Sequence, residues 1–217
     1  MRRTLRPGEE GQHAAPDARV AGVAGVAVRW PGVARGGRQG GVTADGGQLR
    51  TARLRLRPWT TGRDDLARLV DLYGRDEVTR WLGGTPSVPP VELVGRWRAV
   101  AEADGRFGVW ALEVAGSGLV AGTVLLKPLP RGVGEVEVGW HLHPDCWGRG
   151  YATEAARAVV DRGFRAGLPE VYAVVRPGNA ASVAVCTRLG MTPLGRMRRW
   201  YDVELDAFRL MAPEVVD

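Results

Sequence analysis

The sequence predicts a mixed α/β fold: a mainly antiparallel sheet flanked by helices. Three observations carry this reading. Between Phe107 and Leu142 the chain breaks into strand-length apolar segments separated by glycine- and proline-rich turns. From Thr153 to Phe164, Ala155, Ala156, Val159, Val160 and Phe164 continue from Ala152 as one apolar stripe at helical spacing. A short strand, Glu170 to Val175, is then followed by a second helix from about Ala180 to Leu189.

In chain order, "RLRLRPW" alternates Leu54 and Leu56 with arginines, the period of a half-buried strand that Pro58 ends. Leu66, Leu69, Val70 and Tyr73 recur at helical spacing from Arg63 to Tyr73, with Asp64 and Asp65 in the first turn, where the helix dipole favours them. A second short helix passes through Val78 and Trp81 and stops at Gly83-Gly84. A third runs from about Pro90 to Glu102, with Leu93, Val94, Trp97 and Val100 on one side. Strands follow at Phe107 to Val114, Leu119 to Lys127 and Gly134 to Leu142, the first two joined by a tight reversal at Gly116-Ser117-Gly118. Gly167 ends the Thr153 helix and Gly190 ends the next. Strands near Pro193 to Arg199 and Asp202 to Leu210 close the domain.

Residues 1–50 have no sustained period and read as a disordered tail, or as upstream sequence translated from a wrongly chosen start codon. Residues 51–217 form the domain. The Val20–Val28 run is too glycine-diluted for a signal-peptide core, and no apolar run approaches the roughly 20 residues a bilayer requires. Of the net +6, the first 50 residues supply +4 through eight arginines against four acidic residues. The remainder is nearly balanced, so no basic groove is demanded and no nucleic-acid partner is expected. Lys127 is the chain's single lysine. Cys146 and Cys186 are too few for a disulfide framework, which fits a reducing, cytoplasmic compartment.

The stretch "DCWGRGYATEAARAVV" places two glycines and an arginine between a strand and the best helix of the chain. Helix N-termini carry unpaired amides and partial positive charge, and glycines let a ligand approach the main chain, so this is a phosphate cradle. It lacks the Gly-Lys-Ser/Thr of a nucleotide-hydrolase loop and the third glycine of a dinucleotide fingerprint, where Thr153 stands.

Taken with "EVEVGWHLHP" before it and "RPGNAASVAVCTRLGM" after it, the stretch resembles the acetyl-coenzyme A binding core of the GNAT N-acetyltransferase superfamily. "TARLRLRPW", "EVTRWLGG" and "MRRWYDVELDAFRL" resemble its ribosomal-protein N-acetyltransferase branch, and the likeness spans about Thr51 to Met211. The resemblance implies a V-shaped split between the strands ending at Leu142 and Val175, with acetyl-coenzyme A lodged in it as co-substrate. The pyrophosphate loop maps onto Trp147, Gly148, Arg149, Gly150, Tyr151, Ala152 and Thr153. Leu142 and His143, at the end of the preceding strand, would offer main-chain groups to the pantetheine arm. Asn179 and Ser182 match downstream contacts, and Asn179 equally suits a helix N-cap.

Acetyl transfer to an amine needs a proton acceptor for the nucleophile and a proton for the departing sulfur. In a regular strand Glu135, Glu137, His141 and His143 share one face. Glu137 matches an acidic position of the branch and is the first candidate base, with His141 second. The tyrosine that many members use as general acid is replaced by Cys186, leaving Ser182, Tyr201 or solvent for that role. Glu137, His141, His143 and Cys146 are ligand types, but nothing completes a metal site and the family needs none. The expected enzyme is an acetyl-coenzyme A dependent N-acetyltransferase acting by direct attack in a ternary complex on a protein N-terminus or a small amine, as a monomer or homodimer. The acceptor wall is expected around Trp81 to Val91 and Pro128 to Gly134. The alternatives are a non-catalytic coenzyme A sensor and an arginine-tailed nucleic-acid binder.

Overall fold

A computed structural model describes residues 47–214. The expectations for residues 1–46 lie outside that range. The elements are β1 (Leu49–Arg50), β2 (Leu54–Pro58), α1 (Arg63–Tyr73), α2 (Asp76–Thr79), α3 (Pro90–Ala103), β3 (Gly108–Val114), β4 (Val120–Pro128) and β5 (Val136–Leu142). After a 3-10 turn at Pro144–Cys146 come α4 (Tyr151–Arg165), β6 (Glu170–Val175), α5 (Ala180–Leu189), β7 (Thr192–Met197) and β8 (Leu205–Met211).

The eight strands form one sheet in the order β1-β2-β3-β4-β5-β6-β8-β7. All neighbours are antiparallel except β5 and β6, which run parallel and pair at a single position, Glu137 with Tyr172. Beyond that pair the two strands part, and the sheet opens as the resemblance implied. Helices cover both faces. Ala155, Ala156, Val159 and Val160 of α4 pack on one face with Leu54, Leu56, Leu112, Val124, Leu126 and Val138. Leu69 and Leu72 of α1 and Leu93, Val94 and Trp97 of α3 pack on the other with Trp59, Val109, Ala111 and Leu125. Burial on both sides explains why β3 and β4 read as continuous apolar runs rather than as alternating ones.

Small differences from the sequence reading have local causes. The first strand lies just upstream of the expected start: β1 pairs with β2, and Gly47 O accepts from Trp110 Nε1 at 2.8 Å. The α4 helix begins at Tyr151, two positions early, because Gly150 takes the left-handed conformation (φ 77°) and serves as its N-cap. Residues 198–204 leave β7 and β8 to form a connection that buries Trp200 against Tyr172. Gly122 (φ 155°) lies opposite Leu142, where a Cβ would fall 2.2 Å from His141 O. Only glycine lets β4 approach this end of β5.

Candidate active site

The split widens into a cavity of about 880 Å³ walled by β5, the loop before α4, the end of β6, α5 and residues 77–78 and 80–82. Gly148 (φ 73°) and Gly150 (φ 77°) turn the loop through backbone angles that cost other residues about 1–2 kcal/mol. Among the described residues, no amide from Gly148 to Thr153 donates to a protein acceptor. All six of these residues line the cavity, and the first turn of α4 adds its dipole. The loop therefore presents a row of unpartnered amides to the cavity, an arrangement chemically suited to an anion.

Trp147 lines the cavity differently. Its own N–H donates to Pro144 O at 3.2 Å, and its indole Nε1 donates to Leu142 O at 2.8 Å. His143 N–H donates to Ala121 O and Leu129 N–H to Glu135 O, each at 2.9 Å, so odd-numbered residues of β5 address β4. The alternation of a strand then turns the main-chain groups of Val138, Trp140 and Leu142 toward the split. The parallel pair at Glu137 occupies only the β6 end of this edge, so the Trp140 groups and the Leu142 N–H are left for a ligand chain to pair with.

His143 departs from its expected role. It is not part of the cavity wall, its N–H belongs to the β4 ladder, and its ring is buried against α1. Nδ1 lies 2.9 Å from Asp145 Oδ1 and accepts from Asp145 N at 3.3 Å. Nε2 lies 3.0 Å from Asp71 Oδ2, off line for a hydrogen bond. His141 meets Tyr73 and His143 meets Asp71, so both rings lie on the α1 side as expected, but only His141 reaches the cavity.

Downstream, Asn179 caps α5 by accepting from Ser182 N at 3.1 Å, and both residues line the cavity with Ala181, Val185 and Arg188. At the far end, Glu137 and His141 share the wall with Tyr201 and Trp81. Lys127 Nζ at 2.8 Å and Tyr201 OH at 2.7 Å both donate to Glu137 Oε2. Glu137 Oε1 carries no protein partner among the described residues. Burial, reinforced by Glu137, pushes the Tyr201 phenol far above its ordinary pKa, so it remains a hydrogen-bond donor. His141 Nδ1 lies 3.1 Å from Tyr73 OH, and burial lowers its pKa to about 4 despite the opposing pull of Glu137. The imidazole is neutral at pH 7.

The expected acceptor wall is only partly right. Trp81 and Leu82 line the cavity, together with Glu77, Val78 and Arg80, but residues 83–91 and 128–134 do not. Tyr201, Val203 and Leu205 replace them, because the β7–β8 connection folds over the split. Cys186 is fully buried in α5, where desolvation pushes its thiol up to about 12, so it is packing rather than a proton donor.

Sequence reading missed Lys127 as a partner of Glu137. The signal was present, since the only lysine and a glutamate ten residues on face each other across a hairpin. It also missed Arg53 and Glu154, which meet behind the loop across 101 residues and leave no local pattern.

The comparisons agree with this geometry. A family model described as an acetyltransferase (GNAT) domain matches residues 53–192. An uncharacterized N-acetyltransferase of Bacillus subtilis, YoaA, is 29% identical over 155 residues, covering 70% of this chain and 86% of that protein. The crystal structure of an acetyltransferase from Agrobacterium tumefaciens is 28% identical with a TM-score of 0.65, covering 82% of this chain and 99% of that one. Mycobacterium smegmatis RimJ, solved in complex with CoA-disulfide, shares the fold at 23% identity and a TM-score of 0.61, covering 73% of this chain and 82% of its own. With a split sheet, an amide-lined loop ahead of α4 and a family match over most of its length, the chain belongs to the GNAT acetyltransferase family and is an acyltransferase.

Proposed function

We propose that the enzyme transfers an acetyl group from acetyl-coenzyme A to a primary amine, a protein N-terminus or a small-molecule amine, by direct attack within a ternary complex. The observation that carries the reading is the run of unpartnered amides from Gly148 to Thr153 at one end of a cavity whose other end holds Glu137 and Tyr201. The fit to the coenzyme is good. Amides of the loop suit a diphosphate, the free edge of β5 suits an extended arm with amide groups, and Asn179 and Ser182 stand across the split.

Acetyl-coenzyme A supplies an acyl carbon that bonds to the amine nitrogen while the bond to sulfur breaks, the thiolate taking up a proton and the amine losing one. The chain's residues prepare this exchange. The Trp140 and Leu142 N–H groups on the open edge stabilise negative charge developing on the acyl oxygen. Glu137 Oε1 accepts from the amine, directly or through water, while Lys127 and Tyr201 fix the carboxylate by its other oxygen. Tyr201 OH is committed to Glu137, and its raised pKa makes it a poor acid, so with Cys186 buried the departing thiolate takes its proton from Ser182 or solvent. His141 is a neutral hydrogen-bonding wall rather than the base, because its pKa of about 4 makes it a weak proton acceptor. Bringing amine and thioester together supplies much of the remaining rate.

Release of free thiol from acetyl-coenzyme A across a panel of amines and N-terminal peptides tests the reading. Turnover with at least one class, and loss of it in Glu137→Gln with coenzyme binding retained, is expected. Coenzyme binding with no turnover on any amine would favour a sensor.

A further inference from the structure

The phosphate loop is held from behind by a segment that the transfer reaction does not otherwise use. Arg53 Nη1 donates to Arg149 O at 2.9 Å. Its Nε and Nη2 reach Glu154 Oε2 at 2.7 and 2.6 Å. Glu154 Oε1 accepts from Arg53 N at 2.9 Å and from Thr51 Oγ1 at 2.5 Å. The guanidinium also lies 5.1 Å from the centre of the Tyr151 ring. Thr51 is itself tied to the sheet, its N–H donating to Leu54 O at 2.9 Å.

Two physical consequences follow from these contacts. A peptide unit is planar and trans, so an Arg149 carbonyl turned toward Arg53 sets the Gly150 N–H on the opposite side. Glu154 directly follows the last free amide, and an uncompensated carboxylate there would repel a diphosphate. The Arg53 fork neutralises it. Because Arg53 is half exposed, the pair adds little to global stability, and its effect is concentrated on the loop.

We infer that Arg53 is a positioning residue for diphosphate binding: by holding the Arg149 carbonyl and neutralising Glu154, it keeps the loop amides directed into the cavity. The inference rests on the coenzyme reading above. Calorimetric titration of the full chain with coenzyme A, and with pantetheine, which lacks the diphosphate, tests it. Arg53→Ala is expected to weaken coenzyme A binding about tenfold, the loss of a charge-assisted hydrogen bond. Pantetheine binding should be unchanged, and the loss should appear in KM for acetyl-coenzyme A with kcat within about twofold. Adding Glu154→Gln to Arg53→Ala should recover part of the affinity, which removing a purely structural contact would not do. Arg53→Lys keeps the charge without the fork and carries the same test if the alanine variant does not fold. Wild-type affinity for coenzyme A in both Arg53 variants, or equal weakening toward pantetheine, overturns the inference. Failure of the wild-type chain to bind coenzyme A overturns the coenzyme reading first.

Discussion

Lys127 Nζ sits 2.8 Å from Glu137 Oε2, and both side chains are largely buried, at 19% and 12% exposure. Glu137→Gln leaves the ammonium without its anionic partner, so a stability loss of about 2 kcal/mol is expected in urea unfolding. The Lys127→Met, Glu137→Gln double variant should regain most of that loss. Thiol release separates structure from chemistry, because kcat should stay about 10- to 100-fold down in both variants. Recovery of kcat along with stability would mean that Glu137 is only a structural partner.

His141 gives the protein a dependence on acid. Its pKa falls to about 4 in the folded state through burial, from 6.5 ordinarily. The unfolded chain therefore binds a proton that the folded chain refuses as the pH drops from about 6.5 to about 4, and stability falls across that window. Between about pH 7.5 and pH 5 the loss from this group is on the order of 2 kcal/mol. Urea midpoints at both pH values should show it, and His141→Gln should flatten the difference. In kinetics, His141 should give no inflection between about pH 5 and 8, since it is already neutral there.

At Gly148 a Cβ would meet nothing within 4 Å, yet φ is +73°. Gly148→Ala therefore strains the backbone without a clash, and the loop relieves the strain by rotating its amides. An unfolding cost of about 1 kcal/mol is expected. Coenzyme A affinity should fall about tenfold, as calorimetry would show. A variant that binds as the wild type would place the diphosphate elsewhere.

Gly122 makes the opposite case, because there the added carbon meets main chain, 2.2 Å from His141 O. Gly122→Ala must push β4 from β5, and a loss of about 3 kcal/mol or more is expected by thermal or urea unfolding. Acetyl transfer should fall with it, since Trp140, His141 and Leu142 shift together.

The N-terminal segment near β1 is part of the folded unit. Removing residues 1–46 leaves Gly47 O on Trp110, whereas removal through Arg53 deletes β1 and the contacts to Glu154. The shorter deletion should keep wild-type KM for acetyl-coenzyme A. The longer one should raise it and lower the melting temperature.

What the residues determined by themselves was local. The α1, β6 and α5 spans were legible because apolar period, an Asn cap and terminal glycines are written within a dozen positions. The loop before α4 was legible for the same reason, since two glycines ahead of a helix N-terminus mark a turn with unpartnered amides within a few positions. Tertiary structure decided the side-chain chemistry. His141 became neutral through burial, His143 acquired Asp71 and Asp145 as neighbours outside the cavity, and Glu137 acquired Lys127 and Tyr201. Arg53 reached the loop because β2 and α4 pack on one core. Desolvation and charge pairing depend on neighbours brought together by packing, and those neighbours lie up to 103 residues apart in the sequence.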